Sequence, residues 1–187
     1  MFLLLVFFTH FLRPELSKAN EDTRLYQHAQ HLKSLAESEG FNTEYAILVD
    51  MSKPSRQFRY FVVNLKTDSV VISALCAHGG GKKDYGDNVV FSNVSGSLLS
   101  SEGRYLVGSP FNGTFGLSYK LYGIDETNSN ALTRGIVLHA YRTIPDKEVE
   151  KETTLSNGCP MVSQNVFNRT AALIDGSELP LLLWIYK

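Results

Sequence analysis

Gln57-Phe58-Arg59-Tyr60-Phe61-Val62-Val63-Asn64-Leu65, then Lys66-Thr67-Asp68-Ser69, then Val70-Val71-Ile72-Ser73-Ala74-Leu75-Cys76-Ala77-His78 is the stretch that decides the fold class. Its outer runs are rich in β-branched and aromatic residues and the four residues between them are polar, so it reads as a β-hairpin. Tyr45-Ala46-Ile47-Leu48-Val49-Asp50 just upstream has the same character and reads as a further strand. Before it the period is different. Leu25, Ala29, Leu32 and Ala36 recur at helical spacing and Gly40 supplies a stop, which predicts an amphipathic helix over residues 21–39.

Downstream, Gly79-Gly80-Gly81-Lys82-Lys83 breaks the sheet; it lacks the spacing of a phosphate-binding loop and reads as a flexible connection. Residues 84–133 mix short β segments with turn glycines, which favours short antiparallel strands over βαβ units. Gly135-Ile136-Val137-Leu138-His139 is strongly β, and residues 145–155 form a charged surface loop. Ser163 suits the N-cap of a helix over residues 164–174, and residues 181–186 make a last, apolar strand. The expectation is a mainly β, α+β domain with an N-terminal helix and a second helix late in the chain.

The 187 residues suffice for one well-buried domain. Eleven Phe and nine Tyr argue against a disordered chain, and 18 basic against 19 acidic residues, net −1, exclude a surface-wide footprint for nucleic acid. Two cysteines are too few for a disulfide scaffold and form no C-x-x-C element, so no metal or cofactor is expected. The apolar run Met1–Phe8, followed by Pro14 and Ser17-Lys18-Ala19, suits an export signal or short anchor over residues 1–19, with one domain over residues 20–187. No run reaches the roughly twenty apolar residues of a membrane span, so any membrane association is peripheral, through the N-terminus. His28 and His31, three apart on the first helix, read as a solvated face because no third ligand has metal-site spacing.

The chemistry concentrates in His139, sixteen intervening residues, then Ser156-Asn157-Gly158-Cys159-Pro160. A His ends a strand, a polar loop follows, and a Cys stands on a turn ahead of a helix, which brings the two within reach if the flanking strands are neighbours. A thiol is a weak nucleophile until a neighbouring imidazole or helix N-terminus favours its thiolate. His139 supplies the first and the helix after Ser163 the second. Gly158 permits a backbone conformation closed to other residues and leaves its own N–H and that of Cys159 to converge as an oxyanion hole. Pro160 biases Cys159 away from helical geometry, holding the sulfur at a strand-to-helix corner.

These residues resemble the L,D-transpeptidase catalytic domain of bacterial peptidoglycan metabolism, whose pattern is a His followed, after a gap of this length, by [Ser/Thr]-His-Gly-Cys. The likeness extends upstream through Asp50-Met51-Ser52-Lys53-Pro54-Ser55, Ala77-His78-Gly79, Phe91-Ser92-Asn93, Gly103-Arg104-Tyr105, Gly116-Leu117-Ser118-Tyr119-Lys120-Leu121 and Arg134 to His139, similar to the murein branch of Gram-negative bacteria. The resemblance implies an L,D-transpeptidase-like β-sandwich in the periplasm or cell envelope. It further implies attack by Cys159 on the diaminopimelate to D-alanine bond of a tetrapeptide stem through a thioester, with L,D-carboxypeptidase activity when water resolves it. His139 would be the base, Gly158 and Cys159 the oxyanion donors, and a carbonyl near Ala140 the group orienting the imidazole. The family's usual His before the Gly is Asn157 here, which removes any role needing a second imidazole and motivates the alternative of a peptidoglycan-binding module that keeps the fold without the chemistry.

Further expectations attach to single residues. Ser156 and Asn157 flank the nucleophile and Arg134 suits bidentate capture of a substrate carboxylate. Tyr119, with Ser118, is a candidate cleft residue, while Cys76 reads as buried packing and His78 as structural. Peptidases with Cys before His are disfavoured, since His139 precedes Cys159. Sortase-like chemistry is disfavoured because Arg169 lies on the following helix.

Overall fold

The computed structural model describes the backbone from Arg13 to Lys187 and the side chains from residue 23 onward. Helix α1, Arg13–Glu39, starts ahead of the expected residue 21. The expected export segment lies largely outside the described residues, and among the described residues no helix is long and apolar enough to cross a membrane.

The hairpin forms as read. β1 (Tyr45–Asp50), β2 (Tyr60–Asn64) and β3 (Ser69–Ala74) pair antiparallel in turn. The turn-rich middle holds fewer strands than expected. After an irregular stretch come one long hairpin, β4 (Gly103–Gly113) with β5 (Gly116–Gly123), then β6 (Val137–Ala140) and the two-residue β7 (Met161–Val162). Helix α2 spans Gln164–Asp175, with the Ser163 side chain accepting from the Val166 N–H as its cap, and β8 (Leu182–Tyr186) follows.

All eight strands belong to one mixed sheet in the order β3-β2-β1-β8-β4-β5-β6-β7. Beyond β3, Ala77 bridges Met161 of β7, its N–H donating to the Met161 carbonyl at 2.8 Å, so the sheet curls almost to a closed barrel. This is the mainly β architecture with one early and one late helix that the sequence predicts.

β8 lies in the middle of the sheet, parallel to β1 and antiparallel to β4. Both of its faces are covered, which is why it reads as continuously apolar rather than alternating. Leu183 and Ile185 join Ile47, Val49 and Tyr60 in the core that takes Phe167 of α2. Leu182 and Tyr186 face the other way and pack with Ala46 and Leu48 against Ala29, Leu32 and Ala36 of α1. The predicted helical stripe is therefore the buried face. His28 is a correction: it is not on a solvated face but stacks on Tyr186, centroids 3.8 Å apart, and meets the edge of Trp184 at 4.5 Å.

Candidate active site

β6 fixes the site. His139 is paired antiparallel with Ser118 on β5 and parallel with Met161 on β7. Side chains alternate along a strand, so the residues beside these, Leu138 and Tyr119, enter the opposite, apolar core. Ser118 and His139 share the face that opens toward the Ser156–Cys159 turn. The parallel register also sets Cys159 beside Val137, whose N–H donates to the Cys159 sulfur at 3.4 Å, while the thiol points at the Gly135 carbonyl at 3.8 Å.

His139 and Cys159 open onto one cavity of about 430 Å3, together with Ser156, Asn157, Tyr141 and Phe115. His139 as a whole residue is almost wholly buried, 1% exposed. Its Nδ1 faces the Ala140 carbonyl at 2.9 Å, so Nδ1 carries the proton of the neutral ring and Nε2 is left as the basic nitrogen. Burial pulls the imidazole below its ordinary pKa, against the opposing bond to Ala140. Burial also pushes the Cys159 thiol up, opposed by the Val137 N–H and the charge of Arg134. The resting pair is thus thiol and neutral imidazole. A thiolate held by a helix end is not what forms, because β7 stands between Cys159 and α2 and the first turn of α2 is capped by Ser163.

The turn before the sulfur is tightly held. Gly158 has φ +124°, in the region that favours glycine, and a Cβ there would lie 2.8 Å from Ile136 Cδ1 and 2.9 Å from the Leu99 carbonyl. Ser156 Oγ donates to the Cys159 carbonyl at 2.7 Å and accepts from the Gly158 N–H at 3.1 Å. The Gly158 amide is therefore engaged in this state, whereas the Cys159 amide has no acceptor among the described residues. Gly79 and Gly80, read as a flexible break, are buried: Gly80 N–H donates to the Ser156 carbonyl at 3.1 Å and Ser156 N–H to the His78 carbonyl at 2.8 Å. Ser100 Oγ links the same parts, accepting from Gly79 N–H and donating to the Gly158 carbonyl.

Three other candidates are placed elsewhere or otherwise than expected. Tyr119 is fully buried on the core side, packed near Phe167, and its hydroxyl donates to Asp175 at 2.8 Å, so it is not a cleft residue. Arg134 lines the cavity, but its guanidinium is bound to the 92–101 segment instead of standing free for a carboxylate. Ser118 lines a neighbouring hollow of about 300 Å3 that shares Phe115 as a wall. His78 is structural, as expected: its Nδ1 accepts from the buried Arg59 at 2.7 Å and its Nε2–H donates to the Gly86 carbonyl at 2.9 Å. Cys76 is buried, and both cysteines are free. Sequence reasoning missed Phe115, whose ring stacks on the imidazole, and Tyr141, which lines the same cavity and meets the Phe115 ring edge-on; no spacing rule links a hairpin tip to a strand this far along the chain.

A larger hollow, about 610 Å3, lies between α1 and Trp184, but no cysteine lines it. No group of three or more metal-ligating side chains occurs among the described residues.

The sequence pattern of the L,D-transpeptidase catalytic domain matches residues 17–186. The chain belongs to the L,D-transpeptidase catalytic-domain family. Its fold is similar to that of the helical cell shape determining protein Pgp2 from Campylobacter jejuni, both the wild type and the K307A mutant, with a TM-score of 0.52. Identity is 12% to the mutant and 11% to the wild type, over 76% of this chain and 47% of Pgp2. This L,D-transpeptidase domain thus spans about half the length of Pgp2. A Xylanimonas cellulosilytica L,D-transpeptidase matches at 16% identity and a TM-score of 0.44, over 82% of this chain and 68% of that one. No curated protein matches the sequence.

Proposed function

We propose that this domain is a cysteine L,D-transpeptidase acting on peptidoglycan tetrapeptide stems in the cell envelope, with Cys159 as nucleophile and His139 as base. One observation carries the reading: a neutral imidazole, its Nδ1 tied to a backbone carbonyl, shares a single cavity with a half-buried thiol on the neighbouring segment. In the first half-reaction the thiol proton passes to His139 Nε2 as sulfur bonds to the carbonyl carbon of the L-centre to D-centre link. The C–N bond then breaks, the proton moves to the leaving nitrogen, and D-alanine departs. In the second, an acceptor amine attacks the thioester and gives its proton to Nε2, restoring the thiol; water in its place gives carboxypeptidase activity. The free amide of Cys159 is positioned to meet the anionic oxygen, and the amide of Gly158 joins it once released from Ser156 Oγ. Ser156 acts by holding the turn, and Asn157, exposed at the cavity mouth, is the residue left to contact the stem peptide.

Incubation with a disaccharide tetrapeptide, followed by mass analysis, tests this. D-alanine release by the native protein, lost in Cys159→Ala and reduced about 10²–10⁴-fold in His139→Ala, is the expected result. Undiminished release by Cys159→Ala refutes it, and binding without release favours a module that retains the fold alone.

A further inference from the structure

Besides Cys159 itself, the titratable groups facing this cavity are Arg134, His139 and Tyr141, and no carboxylate is among them. His139 is held neutral by burial. The guanidinium of Arg134 is therefore the one full charge that faces the sulfur at neutral pH among the described residues. Its terminal nitrogens donate to four acceptors, the Ser92 carbonyl at 2.6 Å, the Leu99 carbonyl at 2.5 Å, Ser97 Oγ at 3.2 Å, and Ser101 Oγ. All four are neutral, and no acidic side chain pairs with it among the described residues. A cation held by dipoles alone is fixed in place without being cancelled, so its field still acts across the cavity.

The bond to Leu99 sets where that field is centred. A Cβ on Gly158 would lie 2.9 Å from the Leu99 oxygen and 3.6 Å from Arg134 Nη2, so the guanidinium stands directly behind the Gly158-Cys159 peptide. Gly135 and Val137, which touch the sulfur, follow Arg134 in the chain. Anchor and sulfur are thereby parts of one wrapped turn.

We infer that Arg134 is a positioning residue whose fixed charge holds the Cys159 sulfur as an anion during the reaction, supplying permanently what a second imidazole at position 157 would supply only when protonated. The inference rests on Cys159 being the nucleophile, but its test needs no substrate. A mutual stabilisation of the Arg134 cation and the Cys159 anion opposes the burial of both.

The test is the pH dependence of iodoacetamide alkylation of Cys159 in the full chain, read from the mass of the Cys159 peptide so that Cys76 does not interfere. Arg134→Gln is expected to raise the alkylation midpoint by about one pH unit, the low end of the shift a neighbouring opposite charge produces. Arg134→Lys, which keeps the charge and cannot make the four bonds, restores the midpoint toward that of the native chain, and His139→Gln leaves it in place. Ser97→Asp sets a carboxylate against the guanidinium without removing the anchor and raises the midpoint, while Ser97→Asn does not. Equal midpoints in Arg134→Gln and the native chain overturn the inference, as do equal rises in Arg134→Gln and Arg134→Lys, or a rise in His139→Gln matching that in Arg134→Gln. If Arg134→Gln does not fold, an unmoved midpoint in Ser97→Asp overturns it. Loss of turnover in Cys159→Ala alongside unmoved midpoints would sink this role for Arg134 and leave the proposed function standing.

Discussion

Phe115, at the tip of the β4–β5 hairpin, lies flat over His139: ring centroids are 4.3 Å apart and the planes differ by 15°. Phe115 is itself 53% exposed, so its stacking, and not burial of its own surface, is what keeps one face of the imidazole dry. Phe115→Ala wets that face. The His139 pKa is expected to climb back toward its ordinary value, and kcat/KM at neutral pH to fall about two- to tenfold, in line with an aromatic contact of about 0.5–1.5 kcal/mol. NMR titration of the ring and steady-state kinetics measure the two effects.

The pH profile of kcat/KM carries the sign of both shifts. In the proposed mechanism His139 must be neutral to accept a proton, and burial lowers its pKa, so activity is expected to rise through a midpoint below 6.5. Burial raises the Cys159 thiol above 9.0, so the alkaline limb, where the thiol has already lost its proton, lies beyond that value. A midpoint on the acid side well above 6.5 would contradict the buried, neutral imidazole.

Gly158→Ala places a methyl against the Leu99 carbonyl on backbone that side chains rarely adopt. The expected cost is about 1–3 kcal/mol of stability, measured as a fall in denaturation midpoint, with loss of turnover because the sulfur shifts with its turn.

Low pH should loosen the 78–86 loop. Burial, with the charge of Arg59 second, lowers the His78 pKa to about 4, so between pH 6.5 and 4 the unfolded chain binds a proton that the folded one refuses. Stability therefore falls as pH drops through that window, by about 3 kcal/mol at most from this group. Urea midpoints for the native chain and His78→Gln should converge as pH approaches 4; parallel lines would show that His78 is not responsible.

Tyr119→Phe separates the core from the cleft. Turnover should be unchanged, and stability should fall by about 0.5–1.5 kcal/mol with loss of the bond to Asp175.

The features legible in the sequence are those written in local period and cap chemistry. The stripe Leu25, Ala29, Leu32, Ala36 marked a buried helix face, the 45–50 and 57–78 stretches marked three strands, and Ser163 marked a helix start. The likeness of the 139–159 segment to a known pattern pointed to the two residues that share the cavity. What stayed hidden depends on contacts between distant segments. Gly79 and Gly80 looked flexible because glycines between polar residues usually are, yet here the missing side chains admit Leu99 and Leu155. Arg134 looked free because nothing in its neighbourhood along the chain announces four acceptors 33 to 42 positions upstream. Tyr119 was misplaced by one position of strand alternation, which register decides and composition does not.

β8 has a consequence for how the molecule is made. Among the described residues it is the last strand in chain order, yet it lies at the centre of the sheet and is the one strand that pairs with both the β1–β3 half and the β4–β7 half, which otherwise meet through the isolated bridges Ala77–Met161 and Gly79–Ser156. A nascent chain can build each half as it emerges but cannot complete the continuous sheet until residues 182–186 are available. Truncation within residues 182–186 should therefore leave two half-sheets held together only by the bridges beside Ala77 and Gly79 and prone to proteolysis, even though Cys159 and His139 have both already been translated.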